Sequence, residues 1–105
     1  MDKEDINTII SLVQWRKELK CTEGIIEEHY WKPLIEILSK NEKNTINFLE
    51  NCSDDILYWI SEIFEDISKK FQSIKFVKFL RKLQKEHPSI DLEIDIKSAE
   101  YAIMN

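Results

Sequence analysis

Five carboxylates fall between Asp54 and Asp66 with no Lys or Arg among them, and seven Lys or Arg fall between Lys69 and Lys85 with no carboxylate among them. Carboxylates so close together could act as a general acid and base, but that chemistry needs burial or a neighbouring charge to move a pKa. At about 100° per residue, Glu62, Glu65 and Asp66 fall opposite the apolar stripe of their own segment, which makes a solvated helix face the plainest role for them. The more specific role is recognition. Asp54, Asp55, Glu62, Glu65 and Asp66, with Tyr58 among them, form an acidic face with an aromatic anchor, suited to steer and hold a cationic partner.

The other reactive side chains suggest no reaction. His29 and His87 are distant in sequence from each other and from Cys21 and Cys52, and no metal-ligand spacing occurs. Gly24 is the single glycine, so there is no phosphate-cradling loop, and no G-x-S-x-G elbow is present. The expectation is therefore no catalytic residue, no metal and no cofactor. His87, just before Pro88, suits a helix C-terminus, and His29 beside Tyr30 and Trp31 reads as a packed histidine. Lys75, Lys78, Arg81, Lys82 and Lys85 form a basic face read first as solvated surface. Pairing with neighbouring carboxylates and phosphate binding are its alternatives, the latter weakened by the lack of interleaved aromatics.

The whole chain bounds these readings. At 105 residues, 43% hydrophobic and 33% charged, it fits one domain spanning 1–105. One Gly and two Pro argue against an all-β fold, which consumes turn glycines. A net charge of -5 disfavours direct nucleic-acid binding and is compatible with a basic protein partner. The acidic opening Met1-Asp-Lys-Glu-Asp is not a leader pattern, and no apolar run approaches the roughly 18 residues of a membrane span. We expect a cytoplasmic protein that avoids membranes and keeps both thiols reduced.

Hydrophobic periodicity then supplies the elements that must position the face. Ile6, Ile9, Ile10, Leu12, Val13 and Leu19 predict a helix over about 3–20, and Thr22 is a plausible cap for the next. In TEGIIEEHYWKPLIEILSK, Pro33 predicts a break or kink, with two short helices on either side. Residues 41–51 read as a loop and a short helix. Ser53 caps a long helix whose stripe is Ile56, Leu57, Trp59, Ile60, Ile63, Phe64, Ile67 and Phe71. Gln72-Ser73 turns tightly into a basic helix over 74–86 that ends at Glu86-His87-Pro88, and so short a connection predicts antiparallel neighbours. Residues 90–96 alternate like a strand, yet no other segment could pair with it, so a helix over about 93–104 is expected. The fold class is all-α, about six helices in antiparallel pairs.

The order of features over residues 56–103 carries a resemblance. An aromatic helix with W-I-S-E-I-F-E-D-I-S is followed by a Q-S linker, a basic F-x-x-x-L-x-x-L helix ending at H-P, and a final D-I-x-x-A helix. To these the N-terminal half adds Trp31-Lys32-Pro33-Leu34. In this the chain resembles small helical immunity proteins that accompany bacterial polymorphic or contact-dependent-inhibition toxins. The resemblance implies a HEAT-like stacked-helix domain, monomeric and forming a 1:1 heterodimer with a cognate toxin C-terminal domain in the cytosol. It further implies that the partner is a basic nuclease, an RNase for choice, whose active site is covered. It supplies no functional residues, so the expected binding residues are those of the acidic face. A generic helical adaptor, and a nucleic-acid binder using helix 74–86, are the alternatives.

Overall fold

A computed structural model describes residues 1–19 and 23–103, and these form six helices and no strand. The all-α expectation holds. Helix α1 (Lys3–Glu18) begins where the Asp5 N–H donates to Asp2 Oδ1 at 2.8 Å, with Glu4 and Asp5 in the first turn and Arg16 and Lys17 in the last, each matched to the helix dipole. Leu19 ends it, slightly earlier than the periodicity suggests. Thr22, Cys21 and Met104 lie outside the described residues.

Pro33 does not part the next segment into two helices. Helix α2 (residues 23–38) runs as α-helix over Glu23–Ile26, as π-helix over Glu27–Trp31, and as α-helix again over Lys32–Leu38. Proline removes a donor and crowds the carbonyl four residues back. Widening the preceding turn lets the Lys32 N–H bond to Glu27 O, five residues back, so the helix absorbs the proline as a π-bulge and the expected break becomes a local change of pitch.

Helix α3 (Glu42–Glu50) takes up nearly all of the stretch expected as a loop and a short helix. Asn41 caps it, accepting from the Asn44 N–H at 2.9 Å, and the buried Thr45 hydroxyl donates to Leu38 O at 2.6 Å. Helix α4 (residues 54–71) is capped by Ser53 and interrupted by a 3-10 turn at Ser61–Ile63. Its stripe is the centre of the core: Leu57, Ile60, Ile63, Phe64 and Ile67 are fully buried, while Tyr58 is 52% exposed. Gln72 adopts the left-handed conformation (φ 47°) that ends α4, and Ser73 caps helix α5 (Ile74–Glu86), which buries Phe76, Val77, Phe79, Leu80 and Leu83. Gln84 organises the connection that follows, donating to His87 O and Ile90 O and accepting from the Leu92 N–H.

Helix α6 (Glu93–Ile103) settles residues 93–96 as helix rather than strand. It packs most extensively against residues 64–71 of α4, more than α4 packs against α5. Ser68 Oγ donates to Ala99 O at 2.6 Å, and Gln72 Nε2 donates to Ala102 O at 3.0 Å. These bonds advance together along both helices, so α4 and α6 run parallel. The antiparallel expectation drawn from the Gln72-Ser73 turn therefore does not extend to the most closely packed pair. Among the described residues no helix is long and apolar enough to cross a membrane.

Candidate functional site

The six expected binding residues all lie on α4, yet the fold sends them to different neighbours. Asp54, at the first turn, accepts from Ser89 Oγ and contacts His87 Nδ1, tying the α5–α6 connection to the N-terminus of α4. The Ser89 and His87 bonds hold its carboxyl below the ordinary carboxylate value. Asp55 accepts from Lys17 Nζ at 2.6 Å. Glu62 accepts a bidentate pair from Arg16, at 3.0 Å from Nε and 3.1 Å from Nη2, with both side chains partly buried. The acidic run therefore does have compensating bases, brought from α1 and from beyond α5.

Around Glu62 these contacts form a latch between helices. The Arg16 guanidinium lies 4.9 Å from the Trp59 ring centroid as a cation–π contact, and the buried Tyr30 hydroxyl donates to Trp59 O at 2.8 Å. Burial raises the Tyr30 phenol above its ordinary value, so it acts as a donor only. Glu62 is thus a structural link between α1 and α4. Its position on the outer arc is legible from sequence, but its partner, forty-six residues away, is not.

Asp66 lines an open groove with Lys32, Lys40, Lys69 and Lys70, where lysines outnumber it. Glu65 turns the other way, into a groove shared with Lys97, Ser98, Tyr101 and Ala102 of α6. Tyr58 is exposed, its ring edge-on to Trp59 at 5.2 Å, and its carbonyl accepts from Ser61 Oγ. Tyr58, Glu62 and Glu65 are spaced to share one side of α4, where Glu62 reaches Arg16 of α1 and Glu65 borders α6.

The C-terminal helix and the residues leading into it contribute Ile94 and Tyr101, which the sequence did not mark out, and Asp91 and Asp95, which it offered only as partners for the basic face. Asp95 is half-buried beside Ser61, and its carboxyl is raised, first by burial and then by the Glu62 and Asp91 carboxylates, against the opposing Ser61 bond. Among the described residues no Lys, Arg or His forms an ion pair with Glu65, Asp91 or Asp95. Ile94 and Tyr101 are 78% and 73% exposed. The signal available in the sequence was their spacing of seven, which puts both on one side of a helix and away from Ile96 and Ala99.

The basic face of α5 is partly spent on internal pairs. Arg81 bonds Glu93 and Glu100 of α6, and Lys82 lies 3.7 Å from Glu50, while Lys75, Lys78 and Lys85 are exposed. His29 is exposed, tilted against Trp15 at 5.8 Å, rather than packed inside. The Cys52 thiol donates to Phe48 O at 3.3 Å, and burial pushes it up to about 12, which suits a structural side chain. No family model matches the chain, and no curated protein or solved structure shows significant similarity to it.

Proposed function

We propose that this chain is a non-catalytic binding protein that neutralises a basic bacterial toxin, an immunity protein that covers the active site of a nuclease. The observation that carries the reading is the half-exposed Tyr58 on α4, the same helix as Glu65, which with Asp91 and Asp95 forms no ion pair among the described residues. An aromatic anchor beside unneutralised carboxylates suits a Lys- or Arg-rich surface, and it competes with nucleic acid for the same cationic cleft.

The structure sharpens how this is tested. Reversing Glu62 breaks the Arg16 latch as well as any contact with a partner, so Glu65 is the clean probe. The toxin should be encoded immediately upstream and co-purify with this chain. Glu65→Lys is expected to weaken that complex about tenfold and to flatten its salt dependence, with no loss of thermal stability. Unchanged affinity and salt dependence would falsify the assignment of this face. The competing reading, nucleic-acid binding by α5, has lost Arg81 and Lys82 to internal pairs, and it predicts salt-sensitive RNA or DNA binding weakened by Lys78→Glu.

A further inference from the structure

Helix α6 has three working sides and one outward ridge. Leu92, Ile96 and Ala99 are fully buried; Glu93 and Glu100 reach Arg81 of α5; Asp95 reaches Ser61 of α4. Opposite the buried row, two turns apart, stand Ile94 and Tyr101. An isoleucine left 78% exposed contributes almost nothing to folding, because its apolar surface stays in water. Tyr101 borders the groove that also holds Glu65, Lys97 and Ser98, so the ridge joins the Glu65 side of α4.

We propose that this Ile94–Tyr101 ridge, edged on its α4 side by Asp95 and Glu65, is the apolar centre of the partner-binding face. Its occupant is a basic protein segment that packs an aliphatic or aromatic side chain between Ile94 and Tyr101 and brings a neighbouring Lys or Arg to Asp95. The inference rests on the toxin-binding reading and names the chemistry of its contact. Charge selects this occupant. Phosphates would be repelled by Glu65, Asp91 and Asp95, and a second copy docked symmetrically would set these carboxylates against their own kind. Size points the same way: eleven residues of α6 span only about 16 Å. A standard interface covers roughly 800 Å² per partner, so the segment must reach beyond α6 to the Glu65 side of α4.

Asp95 is the distinctive element. A half-buried carboxylate near two other carboxylates gains more from an arriving cation than an exposed one does. Lys97 lines the same groove as Glu65 and Tyr101 and leans towards Glu93 at 3.9 Å, so it is one cation against the Glu65, Asp91 and Asp95 carboxylates.

The experiment uses the full chain and the protein encoded immediately upstream, recovered by denaturing the co-expressed complex and refolded. Binding is measured by calorimetry at several salt concentrations for wild type, Ile94→Ser, Tyr101→Ser, Asp95→Asn and the remote control Lys85→Ser, with thermal melts confirming that each is folded. Ile94→Ser and Tyr101→Ser should each weaken binding about tenfold with the salt slope unchanged. Asp95→Asn should weaken binding and flatten the slope, and Lys85→Ser should do neither. If the three α6 variants bind as wild type does while Glu65→Lys still loses affinity, the ridge is not the contact and only the α4 reading survives. If wild type fails to bind the upstream protein at all, the toxin-binding reading falls and the ridge assignment falls with it.

Discussion

Asp54 and Asp55 are neighbours of the same type, and the fold uses them differently. Asp54 anchors Ser89 and His87 from the far side of α5, whereas Asp55 meets Lys17 from α1. The sequence shows both as acidic residues in the first turn of a helix, and that much is correct because capping is local. Which of them is free for a partner depends on contacts more than thirty residues away, and no spacing rule reaches that far. The bonds to Asp54 make a testable statement about acid. A carboxyl whose folded pKa is lowered contributes stability above its unfolded value and loses it as pH falls through the folded one. Asp54→Asn should therefore lower the melting temperature at pH 7, and the difference from wild type should shrink as pH falls below the ordinary value of 3.8. Melts across a pH series would show it, and a difference that persists at pH 2 would assign the effect to geometry instead of charge.

Among the elements, the caps at Ser53 and Ser73 and the boundaries of α5 follow directly from the sequence, because each depends on one hydroxyl and one apolar period. Pro33 was legible as a disturbance but not as a π-bulge, since the answer depends on how the flanking turns pack. Residues 41–51 were under-read for a similar reason. Thr45 looks polar in the string, yet its hydroxyl closes onto Leu38 O and lets the helix be buried there. Gln72 is the point of backbone strain. With φ at 47° it occupies a region that costs a residue with a Cβ about 1 kcal/mol, partly offset by its side-chain bonds to Lys69 O and Ala102 O. Both Gln72→Ala and Gln72→Gly lose those bonds, and only Gly relieves the strain. The Gly variant should be the more stable of the two by about 1 kcal/mol in urea unfolding.

At the scale of the molecule, the core is the part most fully written in the sequence. The stripe of α4 predicts its own burial, and Phe64 sits at its centre with no exposed surface. Phe64→Ala should cost about 3–5 kcal/mol, much of the 5–15 kcal/mol available to a domain of this size, and a urea midpoint near wild type would contradict the arrangement described. The proposed binding face was only half legible. Its α4 side follows from helical periodicity, but its α6 side exists because the two helices lie parallel, a consequence of packing that the short Gln72-Ser73 turn did not announce.

That parallel pairing also has a meaning for synthesis. Domains assemble from the N-terminus as they are translated, and Tyr58 and Glu65 leave the ribosome well before Ile94, Asp95 and Tyr101. A chain stopped at the end of α5 would carry the hydrophobic stripe of α4 without the helix that covers it, and half of the face. On the reading proposed above, a cell carrying the toxin is protected by molecules translated through residue 103 and by none of their shorter fragments.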